Sequence, residues 1–304
     1  GRIGYPLRVK AAAGGGGRGM RVVRSPQELP EAWQMARLEA RNAFADDALY
    51  LERSIERARH IEIQVLGDGS SGIVHLGERE CSIQRRHQKL LEESPSPAVD
   101  DDLRRRLGDA AVAGARSINY RSAGTVEFLV DENREFYFLE MNTRIQVEHP
   151  VTEAVCGLDL IAEQIRIAGG EALGYDQSDI KLTGHAMECR INAEDPETNF
   201  TPSAGTISAL HFPGGPSVRI DSHIYQGYVV PPYYDSLLAK IITFGSDRAQ
   251  SIARMRRVLA EITIEGVATT VSFHRALLQD SNFIAGRFDT DFVNRTDLGN
   301  TATE

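Results

Sequence analysis

Two glutamates, Glu127 and Glu140, stand where a hairpin brings their carboxylates face to face. Residues 125–130 and 136–140 are rich in β-branched and aromatic side chains and flank a polar turn, which predicts a pair of antiparallel strands. With Asn133 and Arg134 at the tip, Glu127 lands opposite Glu140. Opposed side chains have Cβ atoms about 5 Å apart, where two unit charges repel by about 3 kcal/mol at an effective dielectric of about 20. A divalent cation between them reverses the sign of that effect. Mg²⁺ takes hard oxygen ligands, commonly one or two carboxylates plus substrate phosphates. From Glu140 the side chains alternate, with polar residues at Glu140, Asn142, Arg144, Gln146 and Glu148 and apolar ones at Met141, Ile145 and Val147. If the extended form persists, Glu140, Asn142, Arg144 and Glu148 share one face. Alternation alone also fits the solvated face of an edge hairpin; the opposed glutamates tip the reading towards a metal site.

Two other segments could handle anions. A glycine-rich run, residues 11–19, lies between two short strand-like stretches and carries Arg18, with Lys10 just before it. Glycines let backbone N–H groups approach a polyphosphate closely. No Gly-Lys-Ser/Thr follows, so this is not a Walker A loop, and a flap over phosphates is expected rather than a linker. The run Gln84-Arg85-Arg86-His87-Gln88-Lys89 is strongly basic in an acidic protein. It fits either a solvated surface or an anion site with Lys89 as a point charge. His60 fits a nucleotide contact or a strand-edge histidine. Arg190, on an alternating strand, fits an outward arginine paired with Glu188 or Glu194.

The elements that must position these residues are short. Strands are expected at 7–10, 20–23, 49–52, 61–66, 73–76, 125–130, 136–143, 185–193, 205–211 and 217–221. Helices are expected at 31–44, 101–119, 158–168, 248–262 and 269–279. The first of these starts from a capping-box pattern at Ser25–Glu28, with Pro30 disturbing its first turn. A domain boundary is expected near 181–183. The chain has 304 residues, 41% of them hydrophobic and 25% charged, with a formal net charge of −9. That composition suits a globular protein and disfavours a nucleic-acid binder. No apolar run is long enough to span a membrane. Cys81, Cys156 and Cys189 are sparse and odd in number, which predicts reduced thiols in a cytoplasmic protein, or a mitochondrial-matrix one in a eukaryote.

Taken together and in order, several segments resemble biotin carboxylases, alone or within acyl-CoA and pyruvate carboxylases. They are Lys10 with the glycine loop, residues 59–64, 84–89, 140–153 and 188–196, and Pro231-Pro232-Tyr233-Tyr234-Asp235-Ser236. The acid-x-Asn-x-Arg strand alone marks only the wider ATP-grasp group, including carbamoyl-phosphate synthetases. The resemblance implies an α+β chain: an ATP-grasp domain over 1–182, whose first 54 residues include the glycine lid, a biotin carboxylase C-terminal domain over 183–296, and a polar tail over 297–304. It implies ATP contacts from Lys10, Gly16, Gly17, Glu52, Arg53, Ser54, Ile55, His60, Gln84 and His87. Glu127, Glu140 and Asn142 would bind Mg²⁺ or Mn²⁺. Lys89, Arg144, Gln146 and Val147 would hold bicarbonate, Glu148 would deprotonate it, and Arg190 would stabilise the biotin enolate. Biotin would arrive on a carrier protein or domain, with a carboxyltransferase acting downstream and a homodimer as the assembly.

The sequence departs from the family pattern at Ala12-Ala13, where Ser-Gly is usual, and at Arg53-Ser54-Ile55, where Lys-Tyr-Leu is common. The family's N-terminal subdomain is expected to be missing from this chain. The alternative reading is therefore a truncated nucleotide-binding or assembly module without turnover, or another ATP-grasp ligase.

Overall fold

A computed structural model describes residues 3–13, 20–70 and 72–296. They fall into two compact units, residues 1–58 with 86–88, and the remainder. In the first unit, β1 (Leu7–Ala11) pairs antiparallel with β2 (Met20–Val23) and with β3 (Leu49–Arg53). Helix α1 (Leu29–Phe44) covers this sheet, packing Ala32, Trp33 and Ala36 against Leu7, Val9 and Val23. The helix starts at Leu29, two residues earlier than expected. Pro30 sits in its first turn, where no intrahelical N–H donor is needed. Ser25 and Glu28 make a turn before the helix, the Ser25 hydroxyl donating to Glu28 at 2.9 Å, instead of a capping box.

The second unit is built on an eight-stranded sheet. Its strands in chain order are β4 (Arg59–Asp68), β5 (Ile73–Arg85), β6 (Gln88–Ser94), β7 (Arg121–Val130), β8 (Phe136–Asn142), β9 (His185–Asn192), β10 (Val218–Ser222) and β11 (Leu237–Gly245). Their spatial order is β10-β11-β9-β6-β5-β4-β7-β8. Because β9 pairs with β6, the sheet continues across residues 181–183. Alternation decides what each face carries. Ile61, Ile63 and Val65 of β4, with Val126, Phe128 and Val130 of β7, pack under Leu103, Leu107, Ala111 and Ala115 of α2 (Asp101–Ser117). Met187, Cys189 and Ile191 of β9 pack with Ile252, Met255, Val258 and Leu259 of the helix over Arg248–Glu261.

The helices between these are α3 (His149–Cys156) and α4 (Leu160–Ala168), and α5 spans Arg248–Glu261. The alternate residues, Glu62, Gln64, Glu127, Glu188 and Arg190, fall on positions out of phase with those apolar sets. Helix α3 shares an apolar cluster with Ala186 and Ile242 through Val151 and Val155, so it covers the β9–β11 region on the side of Glu188.

The long strand β5, the strands β6 and β11 and the helix α3 go beyond the expected elements. In β5 and β6 the reason is chemical. Glu78, Arg79, Glu80, Glu92 and Glu93 all lie at 1% exposure or less, so segments whose charges suggest a surface are interior. The expected strand over 136–143 ends at Asn142, and the chain turns before α3. The extended face proposed for Glu140 through Glu148 therefore stops short, and Glu148 is instead the residue that precedes the first turn of α3. Among the described residues, no helix is long and apolar enough to cross a membrane. The three cysteines are unpaired.

Candidate active site

Glu127 of β7 lies directly opposite Glu140 of β8. The tip is wider than expected, spanning 131–135, closed by an Asp131 N–H to Glu135 carbonyl bond of 2.9 Å. Phe128 consequently faces Phe138, and a bulge beside Glu127 absorbs the one-residue slip. The Asn142 amide nitrogen donates to Glu127 at 3.1 Å and to Glu140 at 3.3 Å, so both carboxylates lie within reach of one group. Glu127 is buried and Glu140 exposed. On its other flank Glu127 has Glu62 of β4 as its cross-strand neighbour, so three glutamates stand in a row across three strands.

Cations answer this row from one side. Lys89, the second residue of β6, reaches Glu62 at 2.5 Å, Glu148 at 2.6 Å and Glu127 at 3.1 Å. Burial would lower the Lys89 ammonium, but Glu62, Glu148 and Glu127 outweigh it and hold the group well above its ordinary value. Burial likewise favours a neutral Glu127. His60 at 3.1 Å, Lys89, and the Gln146 amide donating at 3.0 Å override that, and the carboxyl sits far below its usual range. Glu148 is also sealed from water, yet Lys89, Arg190 and Arg79 keep it ionised well below the usual carboxylate range. Arg190 donates to the second Glu148 oxygen at 2.9 Å. Lys89 and Arg190 thus grip one carboxylate, and the residues expected to act on an anion meet there.

Arg79, which the sequence reading does not single out, holds this floor together. It is fully buried and makes five hydrogen bonds: to Glu62 at 2.5 Å, Gln64 at 2.6 Å, Thr152 at 3.0 Å, Thr125 at 3.0 Å and Gln146 at 3.1 Å. That matches the five N–H donors of a guanidinium. Lys240 of β11 is a second unforeseen member; it donates to the Val147 carbonyl at 2.8 Å. The signal for both was weak, a charged residue within a β-type run.

The remaining expected residues divide. Gln84 lies beside His60, with their side-chain nitrogens 3.5 Å apart. Arg144 stays exposed, donating to Asn142 at 3.3 Å and to the neighbouring Ile145 carbonyl. Arg190 pairs with Glu92 and Glu148, not with Glu188 or Glu194. In the first unit, Lys10 meets Glu52 at 2.9 Å, Ser54 is buried behind the end of β3, and Arg53 and Ile55 flank it. His87 occupies the left-handed turn that joins β5 to β6. Gly16 and Gly17, like the expected tail over 297–304, lie outside the described residues.

The site's donors suit a hard divalent cation. Glu127 and Glu140 offer carboxylate oxygens, the ligand type Mg²⁺ takes. Asn142 turns its amide nitrogen to both of them and its oxygen to Arg144, so it would join the set only with its amide turned over. His60, Glu62 and Glu127 also have ligand atoms within 4.8 Å of one another. A group that mixes an imidazole with carboxylates suits Mg²⁺ less well than an all-oxygen set.

Comparison with known proteins identifies the family. Residues 1–175 match the family described as the carbamoyl-phosphate synthase L chain, ATP binding domain, and residues 188–295 match the biotin carboxylase C-terminal domain. The chain is 58% identical over 291 residues to the biotin carboxylase of Nostoc sp., and 54% over 297 residues to biotin carboxylase 1 of Bacillus subtilis. Those alignments take in 96% and 97% of this chain but 65% and 66% of those proteins, so it spans just under two thirds of their length. The fold superposes at a TM-score of 0.94 on Campylobacter jejuni biotin carboxylase in complex with a β-γ-ATP ligand, at 50% identity over 97% of this chain and 66% of that one. It superposes at 0.93 on the biotin carboxylase domain dimer of Hydrogenobacter thermophilus 2-oxoglutarate carboxylase, at 48% identity over 96% and 65%. That structure contains MgADP, ADP and bicarbonate. With identities above 50% to curated relatives along nearly the whole sequence, two family matches in order and the same α+β fold, the chain belongs to the biotin carboxylase family.

Proposed function

We propose that this chain supplies the ATP-grasp and C-terminal parts of an enzyme that uses ATP to carboxylate biotin with bicarbonate. The observation that carries the reading is the double grip of Lys89 and Arg190 on Glu148, beside the opposed Glu127–Glu140 pair. In this reading Lys10, Gly16, Gly17, Glu52, Arg53, Ser54, Ile55, His60, Gln84 and His87 bind the nucleotide. Glu127, Glu140 and Asn142 hold Mg²⁺ or Mn²⁺, which supplies charge neutralisation for phosphoryl transfer.

The chain's own residues do the rest. Lys89, Arg144, Gln146 and the Val147 backbone orient bicarbonate. Glu148, kept ionised by Lys89, Arg190 and Arg79, accepts its proton at a carboxylate oxygen, a base held at the reacting group. Arg190 offers a fixed guanidinium to the oxyanion that develops on biotin. Glu148 and Arg190 are paired with each other at 2.9 Å, so each would act on the reactants in competition with that contact.

The domain division is part of the proposal, with the ATP-grasp portion over 1–182 and the C-terminal portion over 183–296, as the two family matches suggest. A biotin carrier, a carboxyltransferase and a second copy of the chain are the partners that fit. Three unpaired thiols, two of them buried, fit a reducing compartment such as the cytoplasm. Relatives and solved neighbours include pyruvate and 2-oxoglutarate carboxylases, so an acyl-CoA is one acceptor class among several.

The test is ATP cleavage by the full-length protein with bicarbonate, with and without free biotin. Cleavage that requires both supports the reading. Nucleotide binding without any biotin-dependent turnover supports a non-catalytic module instead.

A further inference from the structure

Behind Arg190 lies another pair of opposed glutamates. Glu92 of β6 and Glu188 of β9 are direct cross-strand partners. Both are 0% exposed. Side chains so paired have Cβ atoms about 5 Å apart. One Glu92 oxygen accepts from Arg190, whose Nε approaches to 2.6 Å and Nη2 to 2.5 Å. The other Glu92 oxygen and both Glu188 oxygens have no hydrogen-bond partner. Three buried carboxylate oxygens without donors is a costly arrangement if both groups are ionised. The surroundings offer little relief. Ile242 of β11 is the other cross-strand neighbour of Glu188, and Val151 and Val155 of α3 pack with Ile242 and Ala186. The charged groups acting on the pair are Arg190 from β9, Lys240 from β11, Glu148 ahead of α3, and Lys89 from β6. Lys240 spends a hydrogen bond on the Val147 carbonyl, and Lys89 holds Glu62, Glu127 and Glu148.

A single proton relieves the problem. If Glu188 is a neutral acid, its O–H can donate to the free oxygen of Glu92, which pairs two of the three oxygens, leaves only an uncharged carbonyl oxygen of Glu188 without a donor, and keeps Glu92 charged towards Arg190. We propose that Glu92 and Glu188 share one proton, with Glu188 as the acid, and that this pair positions the Arg190 guanidinium. Its consequence for turnover rests on the reading that Arg190 meets biotin.

The electrostatics run the same way. Burial, and then the Glu92 charge, push Glu188 well above the usual carboxylate range; burial against the pull of Arg190 brings Glu92 to about 7. The Arg190 backbone is fixed independently, its carbonyl accepting from Thr270 at 2.9 Å and from the His274 ring at 2.8 Å. The glutamate pair therefore governs the side chain, not the strand. Glu92 and Glu188 are positioning residues, since Arg190 stands between them and any substrate.

Two measurements on the full chain test this. The first is the infrared difference spectrum between the native protein and Glu188→Gln at neutral pH. The expected result is a protonated-carboxyl stretch in the native protein that the substitution removes; its absence overturns the shared proton whether or not Arg190 meets biotin. The second is kcat/KM for biotin, with MgADP affinity as the check on folding. Glu92→Gln should lower it about tenfold or more. Glu188→Gln, which still donates to Glu92, should retain about tenfold more than Glu188→Leu, which cannot. Equal values for the two position-188 variants overturn the positioning role, and if Glu188→Leu does not fold, the Glu92→Gln result and the infrared band decide. Should Arg190→Ala leave biotin turnover untouched while the band is present, the assignment of Arg190 fails and the proton-sharing pair stands.

Discussion

Glutamates are directly opposed on neighbouring strands at Glu62–Glu127, Glu127–Glu140 and Glu92–Glu188, and the last two pairs are treated differently. Glu127 and Glu140 lie where β8 forms the sheet's edge, with Glu140 exposed and an amide, a lysine and a histidine close by. Glu92 and Glu188 lie in the sheet's middle, sealed, with three oxygens unpartnered. Like charges brought together are neutralised by whatever can reach them. At the open edge that can be a metal ion with its nucleotide. Glu62, buried opposite Glu127, is answered by Arg79 and Lys89, whereas Glu188, which has no hydrogen-bond partner, is left to a proton. On the proposed readings, the same motif gives a binding site in one place and a positioning device in the other.

The sharpest way to break this comparison is at the residue between the two pairs. Glu148→Gln should lower biotin- and bicarbonate-dependent turnover by about 10²- to 10⁴-fold, the range for losing a positioned base. MgADP affinity should stay near native, as calorimetry can check. Arg79→Ala should destabilise the chain by about 3–5 kcal/mol in denaturant unfolding, because Glu62 is then left buried with less compensation. Arg79→Lys should recover only part of that, since an ammonium cannot serve five acceptors in a plane.

Smaller effects separate the pairs by pH. Glu127 and Glu148, held low, add stability that is present above the ordinary glutamate value of about 4.3 and is lost as pH falls below it. Glu92 and Glu188, held high, act with the opposite sign. Their contribution is complete below about 4.3 and is lost progressively as pH rises towards the Glu92 value of about 7. The melting temperature of the native chain, relative to Glu188→Gln, should therefore fall as pH rises through that interval. A constant difference would mean that the inner pair behaves like the outer one.

The outer pair was legible in the sequence because a hairpin with a short polar tip nearly fixes its own register. The expected tip was too narrow, but the bulge beside Glu127 restored the opposition of Glu127 and Glu140. The inner pair was not legible. Glu92 and Glu188 are distant in sequence, and their meeting depends on β6 joining β9 across the sheet. Strand β6 itself was hidden, since Glu92 and Glu93 look like surface residues until Arg190, Arg248 and His185 are placed beside them. Helix α3 was hidden for a related reason: the alternation from Glu140 onward promised a strand, and the turn before Glu148 overrode it. Hydrophobic periodicity finds apolar faces, and this site is lined by charges that only tertiary pairing makes tolerable.

The account stands most directly on the opposed outer glutamates as a metal–nucleotide site. Mn²⁺ binding to the full-length protein, followed by electron paramagnetic resonance in the presence of ADP, measures it without relying on turnover. The prediction is a bound-Mn²⁺ signal in the native protein that weakens at least about tenfold in affinity in both Glu127→Gln and Glu140→Gln. Native-like affinity in the two variants would contradict it.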